Sequence, residues 1–193
     1  TANLDDVDID GNLDVNGGTI KLDGNYPVGT GNVALGDTAL DSNVSGAQNT
    51  AIGSSALTAN TADDNTAVGW SAMSANTAGS LNAAVGRSAL AANTTGGSNT
   101  ALGYAPLSNN TSGGSNVAIG RQALLSNTTA SNNTAVGYQA GYSNTTGTRN
   151  IAIGNQAVYG NSTASYNIGI GHRTLYANTT GDENVAIGDN AML

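Results

Sequence analysis

The chain has 193 residues and a formal net charge of −8, with 9% charged residues, 4% aromatic residues and no cysteine. So few large apolar side chains argue against an ordinary monomeric globule, and the low charge content argues against charged disorder. The lack of cysteine excludes disulfides and thiolate metal sites. No stretch approaches the roughly 20 apolar residues of a membrane span, so we expect no membrane insertion. The four arginines between Asn65 and Gly181 are too sparse for a nucleic-acid footprint.

Residues 1–31 form a segment of their own, in which aliphatic residues alternate with polar ones between glycines. This pattern predicts short strands, either as a lead-in cap or as the end of a preceding shaft. Asp6, Asp8 and Asp10 begin like a calcium-binding loop, but Gly17 stands where an EF-hand has its bidentate acid. We therefore favour a strand with an acidic face and keep a calcium site as a weak alternative. No cofactor is expected.

Residues 32–193 are a tandem repeat. The motif Asn-Thr-Ala-Val-Gly, or a close variant, occurs ten times at intervals of 16 or 17 residues. Its asparagines are Asn32, Asn49, Asn65, Asn82, Asn99, Asn116, Asn133, Asn150, Asn167 and Asn184. A short fixed period of this kind predicts a solenoid whose coils contact mainly their neighbours. The sequence breaks off within a repeat at Leu193 and shows no signal peptide, so we expect either a mature fragment or a piece of a longer fibre.

Each repeat contains a strand pattern after its asparagine. Large aliphatic residues or threonines flank a central residue that is alanine in nine repeats and Gly169 in the other. Period-two alternation predicts a short strand. A following Ala-Leu step, as in Ala56-Leu57, predicts a second strand. We expect an all-β parallel β-roll of ten coils, with aliphatic side chains inside and the alanine face against a neighbouring chain.

Stacked coils place identical residues above one another, about 4.8 Å apart. Two asparagine columns are therefore predicted to form amide ladders that satisfy each other and the turn backbone. The first, which we call the strand column, includes Asn49, Asn65, Asn82, Asn99, Asn116, Asn133 and Asn150. The second, which we call the turn column, contains Asn43, Asn60, Asn76, Asn93, Asn110, Asn127, Asn144, Asn161 and Asn178. Glycosylation-type triplets such as Asn93-Thr94-Thr95 arise from the second column, so a structural interpretation is preferred for them.

The repeat core, as in Asn116 to Gly120 (Asn-Val-Ala-Ile-Gly), resembles the head repeats of YadA-type trimeric autotransporter adhesins. That resemblance covers roughly residues 32–193 and implies a left-handed parallel β-roll, a homotrimer and adhesion to host surfaces. The segment from Gly11 to Ile20 is similar to segments of phage tail fibres, which slightly favours a virion fibre over a bacterial adhesin.

The residue after each repeat glycine varies although its neighbours are monotonous. Together with a tyrosine run four residues further along, this column supplies the candidate receptor-binding residues. They are Trp70, Arg87, Tyr104, Arg121, Tyr138 and His172 in the column, and Tyr142, Tyr159 and Tyr176 in the run. Aromatic side chains beside arginine are typical of sugar and protein recognition. Filling of grooves between protomers is the favoured role for the same residues, and the two roles can hold for different rows.

These patterns predict a non-enzymatic fibre segment that forms a rigid trimeric rod outside the cell, on a virion tail fibre or a bacterial surface. Its expected partners are copies of itself and a cell-surface glycan or protein. An ice-binding solenoid, using a threonine column in the turn, and a subunit of a helical filament remain alternatives. A glycan-cleaving tailspike needs paired carboxylates, and no acid occurs from Asn65 to Gly181.

Overall fold

The computed structural model describes residues 29–193, and these form a parallel β-solenoid without any helix. The ten strands are β1 (Val33–Leu35), β2 (Thr50–Ile52), β3 (Thr66–Val68), β4 (Ala83–Val85), β5 (Thr100–Leu102), β6 (Val117–Ile119), β7 (Thr134–Val136), β8 (Ile151–Ile153), β9 (Ile168–Ile170) and β10 (Val185–Ile187). They pair in chain order in one sheet. The predicted all-β solenoid is therefore confirmed. Most of the predicted lead-in, including Asp6, Asp8 and Asp10, lies outside the described residues.

The register of the sheet follows the repeat. Each central residue pairs with the central residue of the next strand, as Ala101 does with Ala118. Where the chain shortens from 17 to 16 residues, after Asn49, Ala51 still pairs with Ala67. The missing residue falls in the turn that follows Asn60. A solenoid tolerates this change because the strand and its inward side chains keep their positions.

Each coil has one strand, and the prediction of a second strand is wrong. The Ala-Leu step is a turn in which the leucine takes a left-handed backbone, with φ of 51° at Leu57 and 52° at Leu90. This conformation is uncommon for a bulky residue, and here it turns the leucine side chain into the coil interior. Intercoil hydrogen bonds continue through the turn, as from Leu57 N–H to the Ala72 carbonyl at 3.0 Å.

The prediction that the aliphatic side of the strand lies inside and the alanine side outside is also wrong. The central alanines are buried, with Ala67, Ala84 and Ala118 all 0% exposed. The flanking aliphatic residues point outward, and Leu102 is 46% exposed. The interior is narrow because the leucines of the turn and the asparagine ladders already occupy it. Only a methyl group fits between the strand and the opposite leucine, so the larger aliphatic side chains lie on the outer surface.

The predicted asparagine columns form hydrogen-bonded ladders in the interior. In the turn column, Asn110 Nδ2 donates to Asn93 Oδ1 at 2.8 Å and to the Gly113 carbonyl at 2.9 Å. Asn127 Nδ2 in turn donates to Asn110 Oδ1 at 2.8 Å. In the strand column, Asn99 Nδ2 donates to the same Gly113 carbonyl at 2.9 Å. Asparagines of the two ladders therefore donate to the same carbonyl oxygen within one coil. These bonds give the buried amide and carbonyl groups the hydrogen-bond partners that buried polar groups require.

Gly169 shows how the core compensates for a change of residue. It replaces the central alanine of β9, and a Cβ atom built there would lie 2.6 Å from Val158 Cγ2 and 2.8 Å from Thr174 Oγ1. Thr174 occupies the position that is alanine in most other coils and is fully buried. The missing methyl of Gly169 thus makes room for the extra atoms of Thr174.

Candidate recognition surface

The residues that follow the repeat glycines lie at one edge of the sheet, where the chain leaves each strand. We call Trp70, Arg87, Tyr104, Arg121 and Tyr138 the arginine–aromatic ladder. All five are exposed, with 51% of Trp70, 45% of Tyr104 and 40% of Tyr138 accessible to solvent. The solenoid therefore brings these sequence-predicted residues together in one row.

The preceding glycines place this row on the surface. Gly69 and Gly103 have φ angles of 134° and 131°, a region that L side chains rarely adopt. A Cβ atom on Gly69 would lie 2.6 Å from the Gly86 carbonyl oxygen of the next coil. Only glycine allows the coils to stack this closely while the chain turns. The next side chain is therefore directed out of the solenoid at the same place in every coil.

Arginines and rings alternate along the arginine–aromatic ladder. The Arg87 guanidinium carbon lies 4.8 Å from the ring centre of Trp70 and 5.9 Å from that of Tyr104. Arg121 lies 5.6 Å from the ring of Tyr104 and 5.9 Å from that of Tyr138. Each guanidinium thus sits between two aromatic rings at cation–π distance. This stacking restricts the long arginine side chains while leaving the N–H donors at the guanidinium edges.

The charge around the ladder is uncompensated. From Asn65 to Gly181 the sequence has four arginines and no aspartate or glutamate. In the part of the chain that the structure describes, neither Arg87 nor Arg121 forms an ion pair. The whole chain is acidic, yet this row is locally positive. Such a surface attracts anionic groups.

The column changes character beyond Tyr138. Asn155 follows, and then His172 Nδ1 lies 2.8 Å from Asp189 Oδ1. His172 is exposed but is held by this carboxylate, so it does not extend the positive row. Within residues 29–193, no group of three or more histidine, aspartate or glutamate side chains is arranged to hold a metal ion.

The second predicted aromatic run forms a separate stack. The rings of Tyr142 and Tyr159 are 5.1 Å apart and inclined by 7°, and those of Tyr159 and Tyr176 are 5.1 Å apart and inclined by 10°. Arg173 covers the end of the stack, 4.1 Å from the Tyr176 ring centre. Desolvation raises the pKa of Tyr159, and the neighbouring tyrosines Tyr142 and Tyr176 raise it further. The three rings are half-buried, which favours a packing role.

The sequence interpretation missed one exposed pair. Arg149 and Tyr166 each immediately precede a repeat asparagine and are one coil apart. Arg149 Nη1 donates to the Tyr166 hydroxyl at 2.7 Å, and its guanidinium carbon lies 5.3 Å from the ring centre. The 17-residue spacing of the two residues was the signal that could have revealed this contact.

A second surface is formed by the outward residues of the ten strands, which we call the outer sheet face. No strand residue on this face is buried, and none is charged. Its exposed aliphatic residues include Val33, Leu35, Val85, Leu102, Ile153, Ile170, Val185 and Ile187. At about 4.8 Å per strand the face is roughly 43 Å long. The row that contains Leu35 and Leu102 is aliphatic in every coil, whereas the other row is mixed, with threonine at Thr50, Thr66, Thr100 and Thr134. Together the two rows form a continuous uncharged face.

The threonine column in the turn has its hydroxyls engaged. Thr77 Oγ1 donates to the Thr94 carbonyl at 3.0 Å, Thr94 Oγ1 to the Thr111 carbonyl at 2.9 Å, and Thr111 Oγ1 to the Thr128 carbonyl at 3.0 Å. These hydroxyls reinforce the stacking of coils and are not free donors on the surface.

Comparison of the chain with protein-family models, curated proteins and solved structures gave no match. No helix that could span a membrane occurs in residues 29–193. The sites above therefore have to be interpreted from their own geometry.

Proposed function

We propose that the chain is a non-enzymatic segment of an extracellular fibre, on a virion tail fibre or a bacterial surface, that assembles as a homotrimer and presents receptor-binding side chains. The observation that carries this proposal is the outer sheet face. A face of about 43 Å by two side-chain rows covers on the order of 500 Å², in the upper part of the range for the largest apolar patch of a soluble monomer, and patches of that size often have a function.

A second copy of the chain is the occupant that best fits this face. Copies packed with parallel axes would present one aliphatic row and one mixed row of aliphatic residues and threonine along their length, because both surfaces have the same repeat. No charge would be buried, since the outer sheet face contains none. The number three comes from the resemblance to trimeric adhesin heads. The arginine–aromatic ladder lies beside this face and stays accessible at its edge.

Two observations weigh against the other candidate functions. The engaged hydroxyls of the threonine column make it a poor ice-binding array. The absence of carboxylates from Asn65 to Gly181 leaves that stretch, which includes the arginine–aromatic ladder, without the acid pair that glycoside hydrolysis commonly requires. A filament that grows end to end would use the coil edges rather than the outer sheet face.

The test is the mass in solution of the chain and of a variant, Leu102→Glu, measured by light scattering. Leu102 lies at the middle of the outer sheet face and is 46% exposed, so the substitution places a charge in the interface without disturbing the coil interior. We expect three chain masses for the native chain and one for the variant, with unchanged β-type circular dichroism.

Ser112→Glu is the matched control. Ser112 is exposed in the same coil but lies in the turn, away from the outer sheet face. It adds the same charge and should leave the trimer intact. A native chain that is monomeric would refute the trimer, and masses that rise with concentration without limit would favour the filament.

A further inference from the structure

The two arginines of the arginine–aromatic ladder are spaced by the solenoid itself. Arg87 and Arg121 are two coils apart, which corresponds to about 9.6 Å along the coil axis. The rings of Trp70, Tyr104 and Tyr138 follow the same two-coil interval. An elongated ligand lying along this row would meet a positive charge at every second step and an aromatic residue at the steps between.

Sugar polymers have dimensions that match this interval. One pyranose ring of an extended polysaccharide is about as long as one coil is high, so a disaccharide spans two coils. A polysaccharide with a carboxylate on every second sugar would therefore place successive carboxylates at successive arginines. Guanidinium groups favour carboxylates because their fixed N–H donors match both carboxylate oxygens.

We propose that the arginine–aromatic ladder binds a linear acidic polysaccharide along the coil axis, with successive carboxylates at Arg87 and Arg121. This assignment names the ligand class of the receptor-binding surface and rests on the proposed adhesive function. The hydroxyls of Tyr104 and Tyr138 supply hydrogen bonds to the intervening sugars. The exposed ring of Trp70, which follows the small Ser54 in its column, supplies an apolar surface at one end.

The geometry favours a polysaccharide over a single-stranded nucleic acid. Nucleic acid carries a phosphate on every nucleotide and is held by stacking of its bases on open aromatic faces. Both faces of Tyr104 are already covered by Arg87 and Arg121. The ladder therefore offers hydrogen-bonding edges, which suit sugar hydroxyls, and two spaced charges.

Trp70 makes the test direct because it is the single tryptophan of the chain. Its fluorescence would be followed while the full chain is titrated with an oligosaccharide of alternating glucuronic acid and N-acetylglucosamine. The same oligosaccharide with its carboxyl groups reduced to alcohols is the neutral comparison. We expect a saturable fluorescence change with the acidic sugar and at least tenfold weaker binding of the reduced one. Added salt should weaken only the acidic interaction.

Variants distinguish binding at the arginine–aromatic ladder from nonspecific attraction to any exposed positive charge. The double substitution Arg87→Gln and Arg121→Gln should weaken binding at least tenfold. Arg149→Gln is the matched control, because Arg149 is also exposed and contacts a tyrosine but lies off the ladder. It should change the affinity by less than twofold. Isothermal titration calorimetry on the same proteins checks that the fluorescence change reports binding.

Equal affinity for the acidic and reduced sugars, or an unaffected double variant, would overturn the assignment. So would tighter binding of a thymidine oligonucleotide or of polyglutamate at the same salt concentration. Light scattering on the titrated samples keeps the two proposals apart. A trimer that does not bind the acidic sugar would refute only the proposed ligand class. A monomer that binds the acidic sugar would refute only the proposed trimeric rod.

Discussion

Replacing one buried asparagine by its charged isostere, Asn110→Asp, tests whether the turn ladder stabilises the solenoid. Asn110 is fully buried, and its Nδ2 donates to Asn93 Oδ1 and to the Gly113 carbonyl. Aspartate keeps the shape but turns this donor into an oxygen that faces two other oxygens. The shape is unchanged, so any loss of stability comes from hydrogen bonding and charge.

The magnitude follows from the contacts. Two donated bonds are lost, at about 1 kcal/mol each, and the orphaned Asn93 oxygen adds about 1–3 kcal/mol. The Gly113 carbonyl keeps the donor from Asn99 and adds little. We expect a loss of roughly 3–5 kcal/mol at pH 8. At pH 4 the protonated carboxyl can donate one of the two bonds, so the loss falls to about 1–2 kcal/mol.

The pH dependence has a definite sign. Burial without a cation raises the pKa of the introduced carboxyl above its unfolded value of about 3.9. Below that pH both states are protonated. Above it the unfolded chain loses a proton that the folded chain keeps. The free energy of unfolding therefore falls as pH rises, by up to about 1.4 kcal/mol per pH unit, until the folded pKa is reached.

Hydrogen exchange measured by mass spectrometry, together with urea unfolding at pH 4 and pH 8, provides the assay. Local exchange is informative because a repeat array need not unfold in one step. Faster exchange should be confined to the coils around residue 110. The control is Asn109→Asp, an exposed neighbour that adds the same charge. If the two variants unfold at the same urea concentration at pH 8, or if Asn110→Asp shows no pH dependence, the reasoning is refuted.

Three further predictions concern backbone, core and ionisation. Gly103→Ala should lower the free energy of urea unfolding by several kcal/mol, because φ is 131° and the Cβ would lie 2.9 Å from the Gly120 carbonyl. The control is Gly114→Ser, at a position that is serine in other coils, and it should leave the unfolding free energy nearly unchanged. Gly169→Ala should destabilise by about 1–3 kcal/mol. Thr174→Ala should relieve part of this loss in a double-mutant cycle, because the contact of the new methyl with Val158 remains. Since the pKa of Tyr159 is raised, its ultraviolet titration should occur at a higher pH than that of a solvent-exposed tyrosine. The free energy of unfolding should fall above about pH 10, because the unfolded chain then loses a proton that the folded chain keeps. Tyr159→Phe should remove both effects.

The architecture was predictable because the length of one solenoid coil appears directly as the repeat length of the sequence. The ten asparagines mark the starts of the ten strands, and the amide ladders follow once like residues are stacked. The alternation at Thr100–Leu102 identified the strand correctly. These features depend only on local spacing and on stacking of neighbours.

The direction of each face was not predictable from alternation alone. Alternation shows that two sets of side chains lie on opposite sides, but not which side is inside. The answer depends on the opposite wall, where Leu57 and its equivalents enter the interior through a left-handed backbone. No propensity rule expects that conformation at leucine, so the turn was taken for a strand. The aliphatic residues were then assigned to the interior that the leucines occupy.

Variation within the chain locates the surface that is free to carry recognition. Interior positions stack on their own copies and hold few residue types: the strand centre is alanine or glycine, while the leucine position also accepts Met73, Gly141 and Val158. The column after the glycine is not restricted in residue type in this way, since it holds Ser54, Trp70, Arg87 and Asn155 in different coils. Stacking alone therefore does not require arginine and aromatic residues to alternate from Trp70 to Tyr138. Because they do alternate, with a period of two coils, the pattern is a property of the outward surface, and the extended, periodic ligand that we propose would match it.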